Sequence, residues 1–246
     1  MTANDAPNRP GTWARFRSRQ SGCPNGPVGL IFGRLMVPTT APANDAAIDA
    51  LGLTTPSVVL EVGFGQGRTV ARLASLGHRV IGVDPSPTMV RQARRLNRRA
   101  VRAGAARLEP NDGIRLPLDD DLADAALTVH TIYFMDKPAT TLAEIARVLR
   151  PGSTLAIACV VNDDGLDPWK DPAVYRTPSI DDLRNHLTAA GFESIQHTRL
   201  DEPLGIHVFT GHAPEERSIR PPNDATAWEH PISGAGDHHR HTERPR

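Results

Sequence analysis

The run Val58-Val59-Leu60-Glu61-Val62 stops at three alternate glycines, Gly63, Gly65 and Gly67, and a helical pattern from Arg68 to Leu76 follows at once. The run is apolar without alternation and too short for a buried helix, so it reads as a strand covered on both faces, the kind found in parallel sheets. Glycines at the carboxyl end of such a strand let the chain turn sharply and keep Cβ atoms away from a ligand lying on the backbone. The turn also aims free N–H groups of the next helix into that space. A strand, a glycine loop and a helix in this order make a nucleotide-type binding loop.

The same alternation continues along the chain. Arg79 to Asp84 reads as a second strand, Ser86 to Gly104 as a helix, and Ala106 to Pro110 as a third strand. Ala123 to Thr131 reads as a fourth strand, Pro138 to Leu149 as a helix broken at Arg150-Pro151-Gly152, and Thr154 to Val161 as a fifth strand. A helix from Ser179 to Ala190, capped by Ser179 and stopped at Gly191, precedes two last strands, about Ile195 to Leu200 and Gly205 to Thr210. Strand–helix alternation of this kind predicts an α/β fold, a doubly wound sheet with helices on both faces and right-handed crossovers. Ligands of such sheets bind beyond the carboxyl ends of the strands. Gly63 to Gly67, Asp84, Asp112 and His130 fall there, at the ends of strands one to four in turn.

Each of these has a functional and a structural reading. Asp84 lies about 20 residues beyond the first glycine, the spacing at which an acid takes both hydroxyls of a ribose. It could equally cap the helix that opens at Pro85-Ser86-Pro87. Asp112 could accept from the exocyclic amine of a base, or belong to an ordinary Asp-Gly turn with Gly113. His130 and Tyr133 are the candidates for proton handling at the mouth. Against this stands a His130 that offers only its backbone and a Tyr133 that only packs.

The nucleotide itself is constrained by charge. A dinucleotide fingerprint would need its third glycine where Arg68 stands, and no Walker lysine follows the loop. Glu61, two residues before the first glycine, would repel a pyrophosphate but suits a ligand carrying an ammonium group. The chemistry points to a cationic adenosine compound.

Val59 to Gly67, Val80-Ile81-Gly82-Val83-Asp84 and Val148-Leu149-Arg150-Pro151-Gly152 resemble the successive motifs of class I S-adenosylmethionine-dependent methyltransferases. The resemblance covers roughly residues 57 to 161 and softens to about 212. It implies a Rossmann-like sheet of seven strands with the last antiparallel and S-adenosyl-L-methionine as cofactor. Gly63, Phe64, Gly65 and Gly67 would lie under the methionyl part, with Glu61 near its amine. Asp84 would hold the ribose, Pro85 would border the adenine, Asp112 and Gly113 would read its edge, and the His130 backbone would meet the amino acid moiety. Ser153 departs from the pattern, standing where many relatives carry a second glycine. The implied activity is in-line methyl transfer to an acceptor, here expected to be a small organic molecule. No Asn-Pro-Pro-Tyr type sequence follows the fourth strand, which weakens an amide- or base-amino-methylating reading.

Two other classes stay open. Arg91, Arg94, Arg95, Arg98, Arg99 and Arg102 form a basic helix face, either solvated or the contact of an RNA or protein methyltransferase. The formal net charge is +0 and aromatics make up 4%, so neither a global field nor a supply of stacking rings favours nucleic acid. A non-catalytic adenosine-binding module is the other alternative, since fold does not fix chemistry.

The resemblance implies a division into an N-terminal extension of residues 1–43, a methyltransferase domain of residues 44–212, and a Pro-, Arg- and His-rich tail of residues 213–246 expected to be disordered. The extension, with Trp13, Phe16 and the apolar Val28 to Met36 segment, would pack against the sheet or close over the acceptor pocket as a lid. A helix is expected from Asn44 to Leu51, stopped by Gly52. The loop from Trp169 to Tyr175 is expected to shape the acceptor pocket. Cys23 and Cys159 lie far apart, so no disulfide is expected and a cytoplasmic location is the simpler inference. Val28 to Val37 is interrupted by Arg34 and begins too late for a signal peptide, and no stretch is long enough to span a membrane. His238, His239 and His241 make no defined metal site, and none is expected elsewhere.

Overall fold

A computed structural model describes residue 18 and residues 40–165, 171–200 and 205–215. Its strands are β1 (Val58–Val62), β2 (Arg79–Asp84), β3 (Ala106–Pro110), β4 (Ala123–Val129), β5 (Leu149–Cys159), β6 (Glu193–Arg199) and β7 (His207–His212). They form one seven-stranded sheet in the order β3-β2-β1-β4-β5-β7-β6. β1 pairs in parallel with β2 and β4, while β7 runs antiparallel to both β5 and β6. The expected sheet, reversed only in its last strand, is the one found.

Helices cover both faces: α1 (residues 40–50), α2 (Arg68–Ser75), α3 (Pro87–Leu96), α4 (Arg98–Arg102), α5 (Pro138–Val148) and α6 (Ile180–Ala189). Leu60 and Val62 point to the side where Leu142, Ile145, Leu183 and Leu187 of α5 and α6 are buried. Val59 points the other way, into a cluster with Ala43, Ala47, Val70, Leu73 and Val90. A central strand with apolar contacts on both sides has no polar face to alternate, which explains the unbroken run. Ala43, Ala47 and Ile48 of helix α1, with Leu51 in the turn after it, are buried in this second core, so this part of the N-terminal region packs on the sheet. α6 opens with a capping box between Ser179 and Asp182, and Gly191 turns out of it with φ 88°.

Four local expectations change. The helix expected from Ser86 to Gly104 is broken at Asn97, which is buried with φ −96° and ψ 22°. Its amide Nδ2 donates to Gly67 O at 2.8 Å and to Ala93 O at 3.0 Å, a tie to the glycine loop that outweighs helical continuity. Replacing Asn97 with Ala removes this buried tie, although the Gly67 carbonyl still accepts from Ala71 N–H, and thermal melts should read a loss of about 1 kcal/mol. β4 ends at Val129 because His130 turns to φ 53°. β5 starts at Leu149 and takes in the Arg-Pro-Gly-Ser turn, with a register shift opposite Ala123 and Ala125. Gly152 N–H donates to Ala213 O and Ala213 N–H to Ser153 O, so order extends past 212, to residue 215 of the described part.

Several expectations concern residues outside those described: the aromatic and apolar parts of the N-terminal extension, Trp169, and the tail from 216 onward with His238, His239 and His241. Among the described residues, no helix is long and apolar enough to cross a membrane.

Candidate active site

The carboxyl edge of the sheet is built from loops that hold one another. β1 passes into Gly63, whose N–H donates to Val83 O at 2.8 Å, and Gly63, Gly65 and Gly67 all have positive φ, at 82°, 52° and 75°. The three glycines answer different demands. A Cβ on Gly63 would lie 2.2 Å from Thr131 Oγ1, and one on Gly67 would lie 2.7 Å from Asn97 Nδ2 and 2.8 Å from Ala93 Cβ. A Cβ on Gly65 would meet nothing within 4 Å. Two of them are required by the protein's own packing, and Gly65 borders open space. Phe64 is buried, its ring against Gly82, so only its backbone faces the loop.

Asp84 closes the loop from the other side. One carboxylate oxygen accepts from Gly65 N–H and the other from Ser86 N–H, each at 2.8 Å. Burial pushes its pKa up, and the two N–H bonds counter that. The cap of α3 is Ser86, whose Oγ accepts from Met89 N–H, so the capping alternative for Asp84 does not hold. Pro85 is exposed between them. Asn111 N–H donates to Asp84 O, which pins the following turn to the end of β2. There Asp112 is exposed and accepts from Ile114 N–H at 3.0 Å, and Gly113 is buried with φ 77°.

Glu61 is the outlier in this edge. It is 2% exposed on the α2 side of β1, hydrogen-bonded to the Thr69 side chain, yet its Oε2 is buried without a partner. Burial, with help from the nearby Asp84 charge, pushes its pKa up to about 8. Gln66 Nε2 is likewise buried and unpartnered. A buried orphan carboxyl is costly unless something completes it. α2 adds to the imbalance, since its N-cap Gly67 brings no side-chain acceptor and no acid stands in its first turn.

At the end of β4, His130 N–H donates to Ala158 O at 2.9 Å and Thr131 Oγ1 donates to Val129 O at 3.1 Å. His130 Nδ1 lies 3.0 Å from the Tyr133 hydroxyl. Tyr133 itself is only 2% exposed, its ring packed by Phe134 and Tyr175, and its oxygen accepts from Val160 N–H at 2.6 Å. The edge therefore brings Glu61, Gly63–Gly67, Asp84 and Gly113 into one linked set with Thr131 and Asn97. It places the Phe64 and Tyr133 side chains in the core.

The chain matches the family model described as a methyltransferase domain over residues 60–157. It is 36% identical over 156 residues to the O-methyltransferase cnsE of Penicillium expansum, an alignment covering 59% of this chain and 55% of that one. It is 30% identical to the O-methyltransferase rstn1 of Aspergillus nomiae, with 60% of this chain aligned to 69% of the relative. The chain belongs to the S-adenosylmethionine-dependent methyltransferases. In several of these relatives the match spans only about half of the curated protein's length, 55% and 56% among them. A solved chain from the complex of a methyltransferase with the Trm112 activator of Haloferax volcanii shares the fold, with TM-score 0.66, 21% identity, and coverage of 81% and 97% of the two chains.

S-adenosylmethionine is the cofactor of the family, and the residues present fit it. It carries an ammonium for the orphan Glu61 oxygen, no phosphate to oppose that carboxyl, and a backbone-lined space at Gly65.

A second polar cluster stands where β5, β7 and β6 meet. His207 Nε2 donates to Asp164 Oδ2 at 3.0 Å, His197 Nε2 lies 2.7 Å from His207 Nδ1, and Arg199 reaches the same Asp164 oxygen at 3.3 Å. His207 and Arg199 hold the Asp164 pKa low, and burial beside His207 lowers that of His197. Nothing in the spacing of 164, 197, 199 and 207 announces this cluster, because its members meet only through antiparallel pairing of the last strands.

Proposed function

We propose that this chain transfers the methyl group of S-adenosylmethionine to an oxygen of a small organic acceptor. The observation that carries the reading is the buried, unpartnered Glu61 oxygen beside a glycine loop opened by Gly65. On this reading Glu61 receives the cofactor's ammonium, and the backbone from Gly63 to Gly67, that of Phe64 included, lies under the methionyl part. Asp84 keeps lone pairs beyond its two N–H bonds for the ribose hydroxyls. Pro85 borders the adenine, Gly113 and Asp112 meet its edge, and His130 stands at the mouth beside the amino acid moiety.

The sulfonium brings an already activated methyl group, so the chemistry asks for alignment and dryness more than for strong acid–base groups. Ser18 is buried, and its Oγ accepts from Asp171 N–H at 2.9 Å across 153 positions of sequence, in the loop beyond β5. That contact supports a lid role for residues 1–43. Oxygen as the methylated atom is supported by the O-methyltransferase relatives.

The full chain incubated with methyl-tritiated S-adenosylmethionine and a panel of phenols, carboxylic acids, amines, RNA and protein tests this directly. Label should pass to hydroxyl- or carboxyl-bearing molecules. Labelling of RNA or protein alone would favour the exposed arginines of α3 and α4. Cofactor binding without transfer to any panel member would favour a non-catalytic module.

A further inference from the structure

We infer that Glu144 and Arg147 on α5 are positioning residues for the adenine edge: they set the turn from Asn111 to Gly113, and with it the chain's preference for adenine over a 6-oxopurine. This deepens the function proposed above and rests on it for the placement of Asp112 and Gly113 against the base. From Asn111 to Leu122 the chain crosses back to the start of β4 with no helix or strand of its own. Such a segment has no ladder to pair its backbone groups, so its shape must be fixed from outside. α5 does this.

The contacts recur at every third residue of the helix, which keeps them on one face. Thr141 comes first. A Cβ on Gly113 would lie 3.3 Å from Thr141 Cγ2 and 3.3 Å from Val62 Cγ1, so Gly113 is seated between α5 and β1. One turn on, Glu144 Oε1 accepts from Leu116 N–H at 2.7 Å. At the next turn Arg147 donates to Leu116 O at 3.0 Å, to Leu118 O at 2.9 Å and to Asp120 Oδ1 at 2.6 Å. The two side chains also brace each other. Arg147 Nε donates to Glu144 Oε2 at 2.9 Å and Nη2 to Oε1 at 2.7 Å, a forked geometry that a guanidinium provides and an ammonium does not. Burial opposes the Glu144 charge, but the bonds from Arg147 and Leu116 N–H hold its pKa below the usual value, so the pair stays ionised at neutral pH.

Asn111 closes the other end of the segment. Its N–H donates to Asp84 O, its Oδ1 accepts from Gly113 N–H at 2.7 Å, and its Nδ2 donates to Arg115 O at 3.1 Å. A displaced Leu116 takes Arg115 with it, breaks the Asn111 bracket, and swings the Asp112 carboxylate off the base edge. The consequence is specificity. A carboxylate at that edge accepts from the exocyclic amine of adenine and repels the carbonyl that replaces it in hypoxanthine.

Calorimetry of the full chain with S-adenosylhomocysteine and S-inosylhomocysteine reads that preference. The unmodified chain should favour the adenine compound about tenfold or more. Glu144→Ala removes the Leu116 acceptor, and the ammonium of Arg147→Lys cannot fork between the Leu116 and Leu118 carbonyls. In both, the preference should fall to about threefold or less, with the loss falling on the adenine compound. Glu144→Gln keeps an oxygen for Leu116 N–H and should keep more of the preference than Glu144→Ala. Arg150→Met is the control. It removes an ion pair with Asp124 at the opposite edge of the sheet and should cost stability without changing the ratio. An undiminished preference in both α5 variants overturns the inference. So does an equal fall in Arg150→Met, because any loosening of the fold would then suffice. Failure of the unmodified chain to bind S-adenosylhomocysteine removes the functional reading. Equal affinity for the two compounds removes only the positioning role and leaves methyl transfer standing.

Discussion

Glu61→Gln weakens S-adenosylmethionine binding about ten- to a hundredfold above pH 8 and hardly at all near pH 6. The size follows from the loss of one charge-assisted contact to a buried group, about 1.5–3 kcal/mol. The pH dependence follows from the carboxyl's own environment. Burial sets its pKa at about 8 in the free protein, so two pH units lower, ionising it costs about 2.7 kcal/mol and cancels the gain. Binding near neutral pH should therefore release a proton, and calorimetry in buffers of different ionisation enthalpy should detect it in the native chain and not in the variant. Stability responds with a definite sign. A raised folded pKa means that the folded chain keeps a proton which the unfolded chain has given up, so stability of the free protein declines as pH rises from about 4.5 to about 8. Glu61→Gln should flatten that slope without lowering the melting temperature at pH 7. A variant that binds as the parent does at pH 8.5 would take Glu61 out of the site.

Gly65→Val is the second large effect, and its character differs. Nothing in the protein stands within 4 Å of the added Cβ. The folding cost is then that of a β-branched residue at φ 52°, about 1–2 kcal/mol. The methyl groups project into the open space, and affinity for the cofactor should fall about a hundredfold, at the upper end of what extra methyl groups cost in a filled site. Gly63→Ala should show the reverse balance. Its Cβ would lie 2.2 Å from Thr131 Oγ1 and 2.5 Å from Thr131 Cγ2. Thr131 must move, its bond to Val129 O is lost, and stability falls more than in the Gly65 variant. Thermal melts and titration calorimetry on both proteins separate the two roles. Equal stability losses would mean that the loop's glycines serve packing alone.

The fold was legible in the sequence because its strongest signals are local. An apolar run without alternation can only be a covered strand, and Ser179 with Asp182 and Gly191 marks both ends of α6. The linked core of the site was legible for a related reason: Gly63 to Gly67 and Asp84 sit at strand ends, where the βα topology brings them together whatever the side-chain detail. What the sequence hid depends on contacts between distant positions. Asn97 breaks its helix to reach Gly67, thirty positions away, and no helix pattern carries that information. Tyr133 looks like a mouth residue by position, but the short turn after His130 folds its ring back into the core beside Tyr175. The Arg-Pro-Gly turn reads as a break, yet Ala213 pairs with it and carries order beyond the expected boundary. Asp164, His197 and His207 become a cluster only once β7 reverses between β5 and β6.

The most direct test of the account is titration calorimetry of the full chain with S-adenosylmethionine, its demethylated product S-adenosylhomocysteine, and NAD. The first two should bind at one site with proton release near pH 7, and NAD should give no heat at pH 9, where its diphosphate would have to lie against an ionised Glu61. Saturable binding of NAD together with silence toward both sulfur compounds would contradict it.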